Sequence, residues 1–229
     1  MKSAFRTRTQ ALAGTCTRTR PVWFRIEQVV GRECLGGNHM SVVTKIITGA
    51  EFDSMVERGA FDGIGPCKIE LIRGELRFMN PAGPIHDDYI DFLIRWSTDQ
   101  TAATDVTVRV QCGFVCDDHR PEPDILWLQP RRYGRSRPTA ADVLLLIEVS
   151  DSSLATDLQE KADLYAESGV LEYWVIDVKA SRIHVMSESD GKHYRKIEIA
   201  VPPQLLSPQC RPQSKLITAE LFEVTDEEG

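Results

Sequence analysis

Glu148 is the one ionisable residue in the apolar run 143–149 (VLLLIEV). A carboxylate inside a buried strand needs a partner, because a charge withdrawn from water without one is costly. Asp124 has a comparable address. Pro123 biases the chain before it away from helix, and the strand formers 125–128 follow directly. A third group lies in the helix-period segment that follows Glu148. There Leu154, Leu158, Ala162 and Tyr165 form an apolar stripe, and Glu160, Asp163 and Glu167 gather on the opposite face. Lys161 falls on the edge of the stripe, one turn after Asp157 and one turn before Tyr165. A lysine at that position either snorkels outward or meets a buried carboxylate. Two strands of one sheet could bring Asp124 and Glu148 to a single point with the lysine nearby. That is what metal-assisted phosphodiester hydrolysis requires: oxygen ligands for Mg²⁺, a polarised phosphate and an activated water, and an ammonium against the developing charge.

The elements that must position these groups can be read from the pattern. A strand (143–149), a helix and a second apolar strand (173–178) form a crossover unit. Upstream, Thr48 with Glu51 signals a capping box, Phe52, Met55 and Val56 give a short stripe, and Gly59 can end that helix. Residues 68–72 and 75–79 around Arg73-Gly74 predict a hairpin. Ile85, Tyr89, Phe92, Leu93 and Trp96 stand at helical spacing. Residues 104–110 alternate as a strand, 113–116 extend it as a meander, and 125–128 form a buried strand. Beyond the crossover, 182–186 and 194–200 predict a hairpin about Asp190-Gly191. Residues 202–212 read as a loop and 215–224 as a last strand or short helix.

The chain has 229 residues and a net charge of −7. Residues 1–39 carry seven basic residues against Glu27 and Glu33, a balance of +5, which leaves −12 for the remainder. This basic extension is a disordered tail, a targeting segment, or an upstream stretch carried by a mis-assigned start with Met40 as the true beginning; the last is favoured, and the domain is expected over 40–229. The acidic body argues against broad non-specific nucleic-acid binding but suits a site that collects divalent cations. No apolar run is long enough for a membrane span, so a cytoplasmic protein is expected. The six cysteines are scattered and do not suggest a disulfide framework. Cys112, Cys116 and His119 lack a second close Cys or His pair, so two strand cysteines are expected rather than a zinc site.

These residues carry a resemblance. The string Glu148-Val149-Ser150, then Asp157, Lys161, Tyr165, Gly169-Val170 and Glu172-Tyr173-Trp174, resembles the core signature of the Uma-two family of restriction endonucleases. That family belongs to the PD-(D/E)XK nuclease superfamily and is mostly bacterial. Glu70-Leu71, Gly74-Glu75, the stretch from Met79 to Pro81, His86 and Pro123-Asp124 are similar to its upstream elements. The resemblance implies an α/β fold of the restriction-endonuclease-like kind, a central mixed β-sheet flanked by helices. It implies a Mg²⁺- or Mn²⁺-dependent endonuclease acting on DNA, with Asp124, Glu148 and Glu70 as metal ligands and Lys161 completing the catalytic set. The lysine that the superfamily carries two positions after the glutamate is Ser150 in this chain, and the resemblance assigns its work to Lys161. His86, Asp157 and Tyr165 would support these groups from behind.

Plainer readings stand beside these. Glu148 and Lys161 could form a structural ion pair in a catalytically silent binding module that keeps the nuclease scaffold. Asp124 could cap a loop, Glu70 could be a surface hairpin residue, and His86 a helix cap. Arg131, Arg132, Arg135 and Arg137, between the Asp124 and Glu148 strands, are either a solvated loop or a phosphate-contacting one. Cutting both strands of a duplex favours a homodimer.

Overall fold

The computed structural model describes residues 45–65, 67–102 and 105–223. The basic extension and Met40 lie outside the described residues, as does Thr104.

A six-stranded sheet runs in the order β3 (Thr107–Val110), β4 (Ile125–Leu128), β5 (Val143–Ser150), β6 (Glu172–Asp177), β7 (Arg182–Ser189), β8 (Tyr194–Ala200). Every neighbouring pair is antiparallel except β5 with β6, which is parallel. A parallel pair requires a crossover. It is made by one continuous helix built of α3 (Leu154–Thr156), a π-helical turn (Asp157–Lys161) and α4 (Ala162–Glu167).

Two apolar layers sandwich the sheet, and strand alternation decides which residue joins which. Leu145, Ile147 and Val149 of β5 pack with Ile125 and Trp127 of β4 against α2 (Pro84–Gln100). There Trp96 stacks on Trp127 at 4.9 Å and on Trp174 at 5.9 Å between ring centroids. The buried indole N–H groups are satisfied: Trp127 donates to Ser97 Oγ at 2.9 Å and Trp96 to the Lys215 carbonyl at 2.9 Å. Leu126, Leu128 and Leu146 point the other way, into the layer that holds Tyr165 and Tyr173 of the crossover unit. By the same alternation Glu148 faces the crossover helix, and Asp124 shares the parity of Leu126.

α1 (Gly49–Glu57) begins with the capping box expected at Thr48 and Glu51. The hairpin of β1 (Lys68–Ile72) and β2 (Glu75–Met79) turns through Arg73 and Gly74 with φ of 52° and 80°. Both central residues therefore adopt the positive φ of a type I′ turn. A Cβ at Gly74 would also lie 2.1 Å from Ile46 Cγ2.

Several expected elements differ. The strand expected over 104–110 is observed only from Thr107, and the helix expected over 85–96 extends to Gln100. Residues 113–116 do not continue a meander. Asp117 at φ 50° starts a tight turn, leaving only isolated bridges of Val115 with Thr139 and Cys116 with His119. Cys112 is therefore an exposed loop residue, while Cys116 is buried and its thiol donates to Ser168 Oγ. The 202–212 loop contains β9 (Leu205–Leu206), which pairs with β10 (Leu216–Ile217) ahead of α5 (Thr218–Leu221). No helix among the described residues is long and apolar enough to cross a membrane.

Candidate active site

One rung beyond the Ile125–Ile147 pair of β4 and β5, the two carboxylates meet. The Asp124 amide donates to Glu148 Oε2 at 3.3 Å, and the Val149 amide donates to Asp124 Oδ2 at 3.0 Å. Each side chain thus engages the backbone of the other's strand, which fixes both at the sheet end. Asp124 and Glu148 are nearly buried, yet both line a cleft of about 1060 Å³.

Lys161 comes down from the π-helical turn onto this end. Its Nζ donates to Glu148 Oε1 at 2.9 Å and to Glu70 Oε1 at 3.1 Å, and Tyr165 adds a hydroxyl to Glu148 Oε1 at 3.0 Å. Glu70 reaches the site because β1 is bridged to the 119–122 segment. Leu71 and Arg120 exchange backbone bonds, and the Glu122 amide donates to Glu70 Oε1 at 2.7 Å. The hairpin is also tied to the crossover helix by two Arg77–Glu160 bonds of 2.6 and 2.7 Å. Glu160 therefore does not merely face water.

The helix departs from the regular wheel at one place. Leu154 and Leu158, expected within the apolar stripe, are only partly buried, while Asp157 is buried. The π-helical turn holds one more residue than an α turn and so changes which side chains face the sheet. Ser150 donates to Asp157 Oδ2 at 2.6 Å, joined by Ser153. Tyr173 donates to the Asp157 carbonyl at 3.1 Å. Ser150 thus anchors Asp157, and the ammonium reaches Glu148 from the helix.

Lys68, one face-sharing step before Glu70 on β1, donates to Asp124 Oδ1 at 2.7 Å, and His86 Nε2 stands 3.1 Å from Oδ2. Burial alone would raise the Asp124 carboxyl, but the His86 hydrogen bond and the Lys68 charge outweigh it and hold the group below its ordinary value. The same contact raises His86. Burial pushes Glu148 the other way, up to about 8, with Lys161 pulling against it and Asp124 adding to it. Burial also disfavours the Lys161 ammonium, but Glu148 and Glu70 together outweigh that and raise its pKa. Two carboxylates within reach keep Lys161 charged without depending on Glu148 alone. Two adjacent acids whose proton affinities are driven apart are the arrangement expected where one must stay ionised.

The structure therefore brings Glu70, Asp124, Glu148, Lys161, His86, Asp157 and Tyr165 together. Of the arginine loop it brings only Arg137 near the cleft, where that half-buried side chain lies 3.9 Å from Asp53 and its charge acts on Glu122, a residue of the cleft wall. The 131–137 loop leaves β4 at Leu128 and enters β5 near Val143, the opposite end of both strands from Asp124 and Glu148. Arg131 pairs with Asp142 and lies over the Tyr133 ring, while Arg132 and Arg135 are exposed. Lys68 was missed from the sequence, although its two-residue spacing from Glu70 put both on one strand face. Tyr165→Phe is expected to lower stability by about 0.5–1.5 kcal/mol where Glu148 is protonated and by up to about 3 kcal/mol above about pH 8, where the acceptor is charged, read from urea unfolding; an unchanged midpoint would detach the hydroxyl from Glu148.

The Uma2 family model, described as "Putative restriction endonuclease", matches residues 65–218. A crystal structure of a "putative nuclease belonging to DUF820" from Anabaena variabilis superposes with a TM-score of 0.61 at 16% identity, covering 77% of this chain and 97% of that one; this is a likeness of fold. No curated protein matches the chain.

Proposed function

This chain belongs to the Uma2 family of restriction-endonuclease-like proteins, and from that premise we propose that it is a Mg²⁺- or Mn²⁺-dependent endonuclease hydrolysing phosphodiester bonds in DNA, in the cytoplasm. One observation carries the reading: Asp124 and Glu148, on neighbouring strands, converge on one cleft with Lys161 bonded to Glu148 and Glu70.

The donor set suits a hard divalent cation, since Asp124, Glu148 and Glu70 offer carboxylate oxygens. Among the described residues no three acidic, His or Cys side chains stand ready as a metal cluster. The oxygens that would hold the cation are those that hold Lys68, His86 and Lys161. When bound, the cation would polarise the phosphate and lower the pKa of the attacking water. The chain's own groups do the rest. Lys161 is held in place by Glu70 and Glu148 and presents its ammonium where charge develops. Tyr165 fixes Glu148 Oε1. Lys68, a quarter exposed, can exchange its contact with Asp124 for a substrate phosphate.

The test is incubation of the full chain with plasmid DNA and Mg²⁺ or Mn²⁺ beside a Glu148→Ala control. Cleavage that survives the substitution would point to another source. The second reading, a silent binding module, is favoured by the protein cation already bonded to each of Glu70, Asp124 and Glu148. No cleavage of any substrate, with no heat of metal binding, would select it.

Lys68→Ala is expected to weaken DNA binding and to reduce the slope of log Kd against log salt by about 1, the signature of one lost phosphate contact. Fluorescence anisotropy across a salt series checks this, and an unchanged slope removes Lys68 from the contact. Charge reversal at Arg132 and Arg135 is expected to weaken binding and flatten its salt dependence. Unchanged binding would confine DNA to the cleft end of the sheet.

A further inference from the structure

β8 ends the six-stranded sheet, and among the described residues no strand pairs with its outer edge. Such an edge presents unpaired backbone donors and acceptors. Above it runs an exposed apolar stripe at every second residue: Ile197 is 59%, Ile199 52% and Val201 43% exposed. The other side of the strand carries Lys196 and Glu198, which pair with each other at 2.8 Å.

The order Arg195-Lys196-Ile197-Glu198-Ile199 is complementary to its own reverse. When the strand is laid antiparallel against a copy of itself with Ile197 on the two-fold axis, Ile197 meets Ile197 and Lys196 meets Glu198 twice over. Directly opposed residues share a face. The four isoleucines of the two copies therefore form one apolar cluster on one side of the joined sheet, and two ion pairs between copies lie on the other. Arg195 falls opposite Ile199, where its aliphatic stem can cover the cluster's end. A register displaced by two residues sets Lys196 against Lys196 or Glu198 against Glu198, so charge selects a single pairing.

From this self-complementarity we infer that β8 is the interface for a second copy of the chain, which joins edge to edge and continues the sheet across a two-fold axis. The surface is isologous, as a closed dimer requires. It stands apart from the nuclease reading, because it uses none of the cleft residues. β8 runs parallel to β5, so pairing two copies antiparallel directs their clefts to opposite ends of the joined sheet.

Sedimentation velocity of the full chain over a dilution series tests the inference. A concentration-dependent dimer is expected. Ile197→Lys, which sets two ammonium groups against each other on the axis, is expected to give a monomer with unchanged circular dichroism, because the site is exposed in the single chain, and a thermal midpoint that no longer rises with protein concentration. Lys196→Glu and Glu198→Lys are each expected to weaken association, and the double swap Lys196→Glu with Glu198→Lys to restore it. A monomer at every concentration, including an edge covered by the chain's own terminal segments, would overturn the inference. So would a dimer that ignores Ile197→Lys, or a double swap that fails to recover association.

Discussion

Glu148→Ala is expected to reduce Mg²⁺-dependent plasmid cleavage by more than about 100-fold, since even groups that only support a metal ligand cost roughly 10–100-fold when removed. The loss combines two effects: a carboxylate leaves the proposed metal site, and Lys161 retains only Glu70. Glu148→Gln separates them, because it keeps a side-chain oxygen for Tyr165 and Lys161 while removing the ionisable group. The Gln variant is expected to be folded and equally inactive; full activity in it would remove Glu148 from the reaction. It also isolates a pH signature. Folding raises the Glu148 carboxyl from 4.5 to about 8, so the folded state binds that proton more tightly than the unfolded chain. Its contribution is fully present below 4.5 and is lost as pH rises through about 8. Wild-type stability, measured by urea unfolding against Glu148→Gln, is expected to fall across that window and then level off. A difference that stays flat with pH would show that burial does not act on this group.

Lys161→Met should lower stability by about 3–5 kcal/mol, the cost of leaving buried charges without their partner. In a domain of this size that corresponds to a fall in thermal midpoint of roughly 10 °C. The ammonium is almost fully buried and bonded to both Glu70 and Glu148. Its removal sets two carboxylates against each other with no cation between them. The remedy open to Glu148 is protonation, which the loss of Lys161 favours further, so the gap between wild type and variant is expected to narrow as pH falls toward about 8. The lysine's own titration lies outside that window: its raised pKa makes its contribution complete below its ordinary value of 10.5 and lost only far into alkali. Thermal denaturation followed by circular dichroism at several pH values checks both points. An unchanged midpoint would mean that the pair contributes nothing net.

Much of this site was legible in short spans of sequence. VLLLIEV is apolar but for Glu148, so the strand it forms is buried on both faces, and strand geometry alone then sets Glu148 on the side of Leu146, under the crossover helix that bears Lys161. Lys68 lay within reach of the same reasoning, since Lys-Ile-Glu places Lys68 and Glu70 on one side of β1. What no local pattern supplies is the partner, Asp124, 56 residues away. The arginine loop shows the reverse case. A short connection between antiparallel strands leaves from the end of the first, whereas Asp124 stands at its beginning, so connectivity alone separates the two. The short bridges at Val115 and Cys116 were misread as a strand because alternation over four residues cannot reveal a turn imposed by Asp117.

The π-helical turn was not legible, because nothing in DLQEK interrupts an α pattern. Its consequence is one of phase. The helix has two polar anchorages on the sheet: Asp157 on Ser150 near its start, and Lys161 with Tyr165 on Glu148 one and two turns later. In a regular α-helix each step of four residues overshoots a full turn by about 40°, so anchors at three such positions wind progressively off a common line. The wider turn between Asp157 and Lys161 takes back part of that drift, as a vernier is reset by one division. Shortening it by a single residue would rotate the first anchorage against the second by about 100°. The helix could then keep its hold on Ser150 or its lysine on Glu148, and the two ends of the site would no longer be in register.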